Sequence, residues 1–363
     1  MRKRLLSRVA LLAATCLLLF IIAEVAARIL LPAAAFGDDP TLAGNYRPHR
    51  RLRYRSEIDG FDVRVRYNSL GMRDVEHAFE KPPGVFRILV LGDSFMEGKQ
   101  VELEETFCRR LERILSAMRE VEVVNTGHAG FGSAEQCLVL RQLGPLMQPD
   151  LVVQAFFMND VSDDAAVASE IVWSGTGAPL RMIAQGPRSR FAQWLAARLN
   201  ALPFRQRTRW VQAEEIGDPG HDPFAVLRPG RAMRDDAAWD RTLRCLSETA
   251  RLARGMNAGY LLVVIPLAQQ VDPTLGGRVA EVWRLEPGGH FDFPQERLAA
   301  FGREEGIDVL DLLPVFRAEA EPLHYFPNDG HWTPAGHALA ARTVADYLGG
   351  THGTVPHEAS PHP

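Results

Sequence analysis

The chain has 363 residues, of which 46% are hydrophobic and 24% charged, enough to bury a sizeable core in one large domain or two small ones. Its 41 basic and 45 acidic residues leave a formal net charge of -4, so no global positive field exists to hold a nucleic-acid backbone. Cys16, Cys108, Cys137 and Cys245 show no metal-ligand spacing, which argues against a zinc site.

At the N-terminus, Arg2, Lys3, Arg4 and Arg8 precede the apolar stretch VALLAATCLLLFIIAEVAARILL. A basic end followed by a run longer than a signal-peptide core predicts an uncleaved transmembrane anchor over residues 1–32. Ala33-Ala34-Ala35 is the alternative, a cleavage site. Glu24 and Arg28, four apart, are placed to pair on one helix face. The basic end predicts an inside N-terminus and an extracytoplasmic remainder, periplasmic or at the cell surface. Arg47, Arg50, Arg51, Arg53 and Arg55 oppose this topology, but they stand further from the apolar run. Outside the cytoplasm, one pair among Cys108, Cys137 and Cys245 could be oxidised, and the sequence does not choose it.

Residues 33–85 read as a β-rich lead-in, because FDVRVRYN alternates from Phe61 to Tyr67 and Ser69-Leu70-Gly71 follows as a turn. Its arginines form either a solvated strand face or a surface for an anionic glycan or lipid headgroup.

From residue 86 a strand and helix rhythm begins. FRILVLG, VEVVNTG, DLVVQAFF and GYLLVVIP are strand-like, while Phe107, Leu111, Ile114, Leu115 and Met118 recur at helical spacing. Continuous apolar strands separated by helices imply an α/β fold with a parallel sheet covered on both faces. Such sheets bind ligands beyond the carboxyl ends of their strands. There the chain carries Gly92-Asp93-Ser94, then Asn125-Thr126-Gly127-His128-Ala129-Gly130, then Met158-Asn159-Asp160. Near the C-terminus, Asp329 and His331 precede Thr333-Pro334, a helix cap and first helical residue. A serine nucleophile needs an imidazole base, an orienting acid and donors for the oxyanion, and these segments supply each type.

Through GDSF at 92–95, NTGHAG at 125–130, MND at 158–160 and DGHW at 329–332, in that order, the chain resembles the SGNH or GDSL hydrolases. The resemblance covers roughly residues 86–165 and 255–348. It implies a three-layer α/β/α, flavodoxin-like fold over residues 86–348. It also implies roles: Ser94 attacks, His331 is the base, Asp329 orients it, and Ser94 and Gly130 N–H with the Asn159 amide form the oxyanion hole. No metal or organic cofactor is implied. Taken singly, each block has a plainer reading, since Ser94 could cap a helix, Gly130 serve a tight turn, Asn159 an Asx-turn and His331 the surface. Two positions depart from the family pattern: Phe157 stands where glycine is usual, and the acid is two residues before His331, with Asn328 three before. Asn328 is therefore an alternative partner for the ring. The Asp-x-His spacing resembles that of alginate-acetyltransferase-like relatives. Asp93 and Asp160 read as loop ties, and His128 as a pocket wall or a plain loop residue.

An insertion over residues 161–235, with a helical stretch RFAQWLAARLNAL, reads as a lid or glycan-facing wall. AWDRTLRCLSETARLARGM reads as an amphipathic helix, and residues 349–363 as a disordered tail. The expected function is an extracytoplasmic serine esterase acting on small O-acyl esters of envelope or secreted glycans. The alternatives are a polysaccharide O-acetyltransferase using the same site and a non-catalytic glycan-binding or scaffold protein.

Overall fold

The computed structural model describes residues 2–30, 46–167, 171–182, 191, 195, 209–212, 236–276, 292–319 and 323–350. The proposed helix at 190–202, most of the insertion, and the tail beyond residue 350 lie outside the described residues. Helix α1 (Arg2–Leu30) covers the N-terminal apolar stretch. Among the described residues no helix is long and apolar enough to cross a membrane, so the transmembrane reading of residues 1–32 gains no support from the structure.

Strands β1 (Arg51–Ser56) and β2 (Phe61–Arg66) form an antiparallel hairpin, with β8 (Arg209–Gln212) parallel to β1. Strict alternation buries Leu52, Tyr54, Phe61, Val63, Val65 and Tyr67 on one face, against Phe326.

The main sheet is wholly parallel, built from β3 (Phe86–Leu91), β4 (Val121–Asn125), β5 (Leu151–Phe156), β9 (Gly259–Val264) and β10 (Asp308–Asp311). Strands β6 (Ile171–Trp173) and β7 (Pro179–Met182) make a separate antiparallel pair. The order β4-β3-β5-β9-β10 is the flavodoxin-like arrangement, with the topological switch between β3 and β5. Ile88, Leu89, Val90 and Leu91 are fully buried, each such side chain contributing about 1.5–3 kcal/mol, so β3 is the anchor on which the site is built.

Helices cover both faces, as continuous apolar strands require. On one face α4 (Ser133–Met147), α6 (Asp236–Gly255) and α8 (Phe293–Glu305) pack through Leu138, Trp239, Leu246 and Leu298. On the other, α3 (Phe107–Leu115) and α10 (Pro334–Gly349) pack through Leu111, Leu339 and Val344. Helix α10 starts as its sequence dictates: Pro334 occupies the first turn and Gly336 N–H donates to Thr333 Oγ1 at 3.4 Å. Shorter helices α2 (Ser94–Glu97), α5 (Asp160–Ala166), α7 (Ala268–Val271) and α9 (Leu313–Ala318) follow strand ends. Cys108, Cys137 and Cys245 are buried free thiols.

Candidate active site

Ser94 opens α2 directly after β3. Asp93, fully buried, accepts from Phe95 N–H at 2.9 Å and so caps the helix, fixing the turn that lifts Ser94 off the strand end. Helix α2 can follow the strand so closely because Gly92 and Gly127 leave room for Met96. A Cβ at Gly92 would stand 2.4 Å from Met96 Cγ, and one at Gly127 2.4 Å from Met96 Cβ. Phe95 points the other way, its ring packing on His331 at 4.8 Å, Phe157 at 4.5 Å and Trp332 at 5.1 Å between centroids. Phe157 thus fits the usual glycine position by joining the aromatic packing behind the histidine.

The three side chains named from the sequence lie in one hydrogen-bonded row. Ser94 Oγ is 2.8 Å from His331 Nε2, and His331 Nδ1 is 2.6 Å from Asp329 Oδ1. This spacing suits the tautomer in which Ser94 donates to Nε2 and Nδ1–H donates to Asp329. Asp329 is further held by Gln100 Nε2–H, which donates to Oδ1 at 3.0 Å. Asn328 is not a partner of His331: it is exposed, and its N–H and Nδ2–H donate to Asp59 at 2.9 and 3.1 Å. Asp59 lies in the β1–β2 turn and also accepts from Asp329 N–H at 3.1 Å. The hairpin therefore grips the histidine loop at the triad acid.

Gly130 adopts a left-handed backbone with φ 81°, and no atom lies within 4 Å of a Cβ built there. Among the described residues, neither Ser94 N–H nor Gly130 N–H is taken by a protein acceptor. The neighbouring Ala129 N–H donates to Glu97 Oε2 at 2.8 Å, which ties the glycine loop to the nucleophile helix. Tyr67 hydroxyl donates to the other oxygen, and Lys99 stands 3.2 Å away. Burial alone would raise the Glu97 pKa. The charges of Lys99 and His128 and the bonds from Tyr67 and Ala129 outweigh it and hold the carboxyl at about 2. Behind the loop, His128 stacks on Phe131 at 4.6 Å and meets Tyr46 at 5.4 Å, so it belongs to an aromatic wall.

Asn159 follows β5, across the topological switch from Ser94, and its Nδ2–H donates to Asp163 Oδ2 at 2.9 Å. Around it lies a group of carboxyls. Burial, then the charges of Asp93 and Asp164, push Asp163 up to about 7. Burial, then Asp164, pushes Glu135 to about 8. Asp164 is raised to about 6 by burial, against hydrogen bonds from Thr242 and Ala134. Asp160 accepts from Ser133 Oγ–H at 2.9 Å and Gln136 Nε2–H at 3.2 Å, and burial beside Asp93 and Asp164 raises it too. Asp93 and Asp160 thus tie loops. Glu97, Gln100, Asp59 and Asp163 were not singled out from the sequence. Only Asp163 had a signal, its place one helical turn after Asn159.

A hydrogen-bonded Ser94, His331 and Asp329 row at the carboxyl end of a parallel sheet is the arrangement of an α/β serine hydrolase. Residues 90–339 match the model of the GDSL-like lipase/acylhydrolase family, and the chain belongs to that family, the SGNH hydrolases. It is a carboxylic ester hydrolase. Among solved structures, it is similar to an acetyl xylan esterase, AlAXEase, at 13% identity and a TM-score of 0.43, over 72% of this chain and 100% of that one. It is also similar to a catalytic mutant of Axe2, an acetylxylan esterase from Geobacillus stearothermophilus, at 12% identity and 0.42, over 75% and 97%. A G-D-S-L family lipolytic protein from Desulfitobacterium hafniense DCB-2 shows 13% identity and 0.39, over 72% and 99%. No curated protein matches the sequence.

Proposed function

We propose that the chain hydrolyses small O-acyl esters through an acyl-enzyme on Ser94. The row from Ser94 through His331 to Asp329, at 2.8 and 2.6 Å, carries this reading. His331 takes the Ser94 proton as Oγ attacks the ester carbonyl, and Asp329 stabilises the imidazolium that forms. The oxyanion is met by Ser94 N–H, Gly130 N–H and the second Nδ2–H of Asn159; each such donor is typically worth about 10²–10³ in rate. His331 returns the proton to the leaving alkoxide, then activates water to release the acid. The carboxyls beside Asn159 make this side of the site polar, which favours a short acyl group over a long alkyl chain.

The ester is proposed to sit on an envelope or secreted glycan, outside the cytoplasm; the basic, apolar α1 supports export. Transfer of the acyl group to a sugar hydroxyl is the second reading, favoured by the Asp-x-His spacing that brings Asp329 onto the ring.

Release of p-nitrophenol from p-nitrophenyl acetate by the full chain, beside Ser94→Ala and His331→Ala, tests the mechanism. A wild-type rate lost in both variants sustains it; three traces equal to the buffer blank overturn it. Adding acceptor glycans then separates transfer from hydrolysis.

A further inference from the structure

The hairpin that grips the histidine loop with its turn carries on its outer face a double row of guanidinium groups. Register pairs Arg51 with Arg66, Arg53 with Arg64 and Arg55 with Asp62, all on the face opposite the buried Leu52, Tyr54, Val63 and Val65. Arg51, Arg64 and Arg66 are exposed, while Arg53 and Arg55 keep roughly a third of their side chains in solvent. Five arginines therefore face one strand carboxylate, Asp62, which is held in a two-pronged contact with Arg53. Glu57, in the turn, stands 3.3 Å from Arg55. Like charges directly opposite on a sheet destabilise it, and two of the three rungs here are arginine against arginine. Discouraging edge-to-edge pairing takes a charge or two, not facing rungs of the same sign.

We propose that this face binds an acidic polysaccharide chain through its carboxylates and delivers the esters it carries to Ser94. The proposal rests on the ester-hydrolase reading of the site. Same-face residues along a strand repeat every ~7 Å, so the three rungs make a row ~14 Å long, suited to an extended polyanion rather than one small anion. Planar guanidinium groups match carboxylates in paired hydrogen bonds. The row ends at the turn whose Asp59 holds Asn328 and Asp329, so a chain lying along it arrives at the triad. Local attraction is needed because the chain as a whole carries a net charge of -4. A lipid surface is the weaker fit, since every outward strand position on the hairpin is charged and none offers an apolar side chain for insertion.

The test measures binding of full-chain Ser94→Ala to polygalacturonate, neutral dextran and phosphatidylglycerol vesicles at low and high salt. Expected are polygalacturonate binding that weakens with salt, none to dextran, and a loss of about tenfold or more when Arg64→Gln and Arg66→Gln are added. Arg51→Gln is the second variant should that protein misfold, with a smaller loss in the same direction. No polygalacturonate binding, equal binding by the arginine variants, or binding to the vesicles alone overturns the proposal. Because Ser94→Ala cannot turn over, this result is independent of the p-nitrophenyl acetate assay, which tests the hydrolase reading by itself. With both in hand, O-acetylated polygalacturonate should be deacetylated by the wild type with kcat/KM about tenfold above that of the Arg64→Gln/Arg66→Gln protein.

Discussion

The amide of Asn159 donates to the carboxylate of Asp163, one helical turn further on, at 2.9 Å. One amide hydrogen is thereby fixed on Asp163, and in the proposed mechanism the other serves the oxyanion. Asp163→Ala frees the amide to rotate, so kcat should fall about tenfold or more with little change in KM, because the lost interaction matters mainly in the transition state. Asp163→Asn should recover part of the rate, since its carbonyl oxygen still accepts. Steady-state kinetics on p-nitrophenyl acetate, with thermal melts to confirm folding, decide it; an unchanged kcat in the alanine variant removes Asp163 from the mechanism.

The two candidates for the triad acid separate cleanly. Asp329 touches the His331 ring, whereas Asn328 touches the hairpin. Asp329→Asn should cut kcat by about 10²–10⁴, because the amide no longer stabilises the imidazolium or selects its tautomer. Asn328→Ala should stay within about fivefold, since Asp59 still accepts from the backbone N–H at 328 and 329. The opposite ranking in kcat would reassign the acid.

Two glycines in the same block are required for different reasons. At Gly127 an added Cβ would stand 2.4 Å from Met96 Cβ and 2.8 Å from Glu97 backbone N, so Gly127→Ala must displace the nucleophile helix. At Gly130 nothing lies within 4 Å, and the cost of alanine is the left-handed backbone alone, about 1–2 kcal/mol. Melting temperatures should therefore fall much further in Gly127→Ala than in Gly130→Ala; equal losses would show that close packing on Met96 is not what demands glycine.

Acidic buffer should stabilise the fold. Glu135 at about 8, Asp163 at about 7 and Asp164 at about 6 all lie above the ordinary carboxylate value near 4. The folded chain thus keeps protons that the unfolded chain releases. Their contribution is complete at about pH 4 and is lost as pH rises through each folded value toward about 8. Scanning calorimetry should find the melting temperature several degrees higher at pH 5.5 than at pH 8.5, and Glu135→Gln should flatten that slope. A melting temperature that rises over the same interval would contradict the buried, protonated assignment.

How much of this could be read in advance follows from sequence distance. Three of the blocks were legible because each is contiguous and ends an apolar strand, so the sheet brings Ser94, Gly130 and Asn159 to one edge, while the histidine block was legible as the segment before a capped helix. Phe157 was legible only as an anomaly. Its packing on Phe95, which in turn backs His331, appears only when strand β5 lies beside β3. Glu97 looked like an ordinary polar residue in a short helix, because its partners Tyr67 and Ala129 lie about 30 positions away on either side.

The grip of Asp59 on the loop at 328–329 bears on where the enzyme begins. The family-matched segment opens at residue 90, inside β3 and downstream of the hairpin. A recombinant fragment beginning between β2 and β3 would retain all four motifs yet lose the support beneath its triad acid, together with Tyr67 beneath the glycine loop. The smallest unit that keeps these contacts therefore starts upstream of β1, so the hairpin bears on the site without contributing any motif residue.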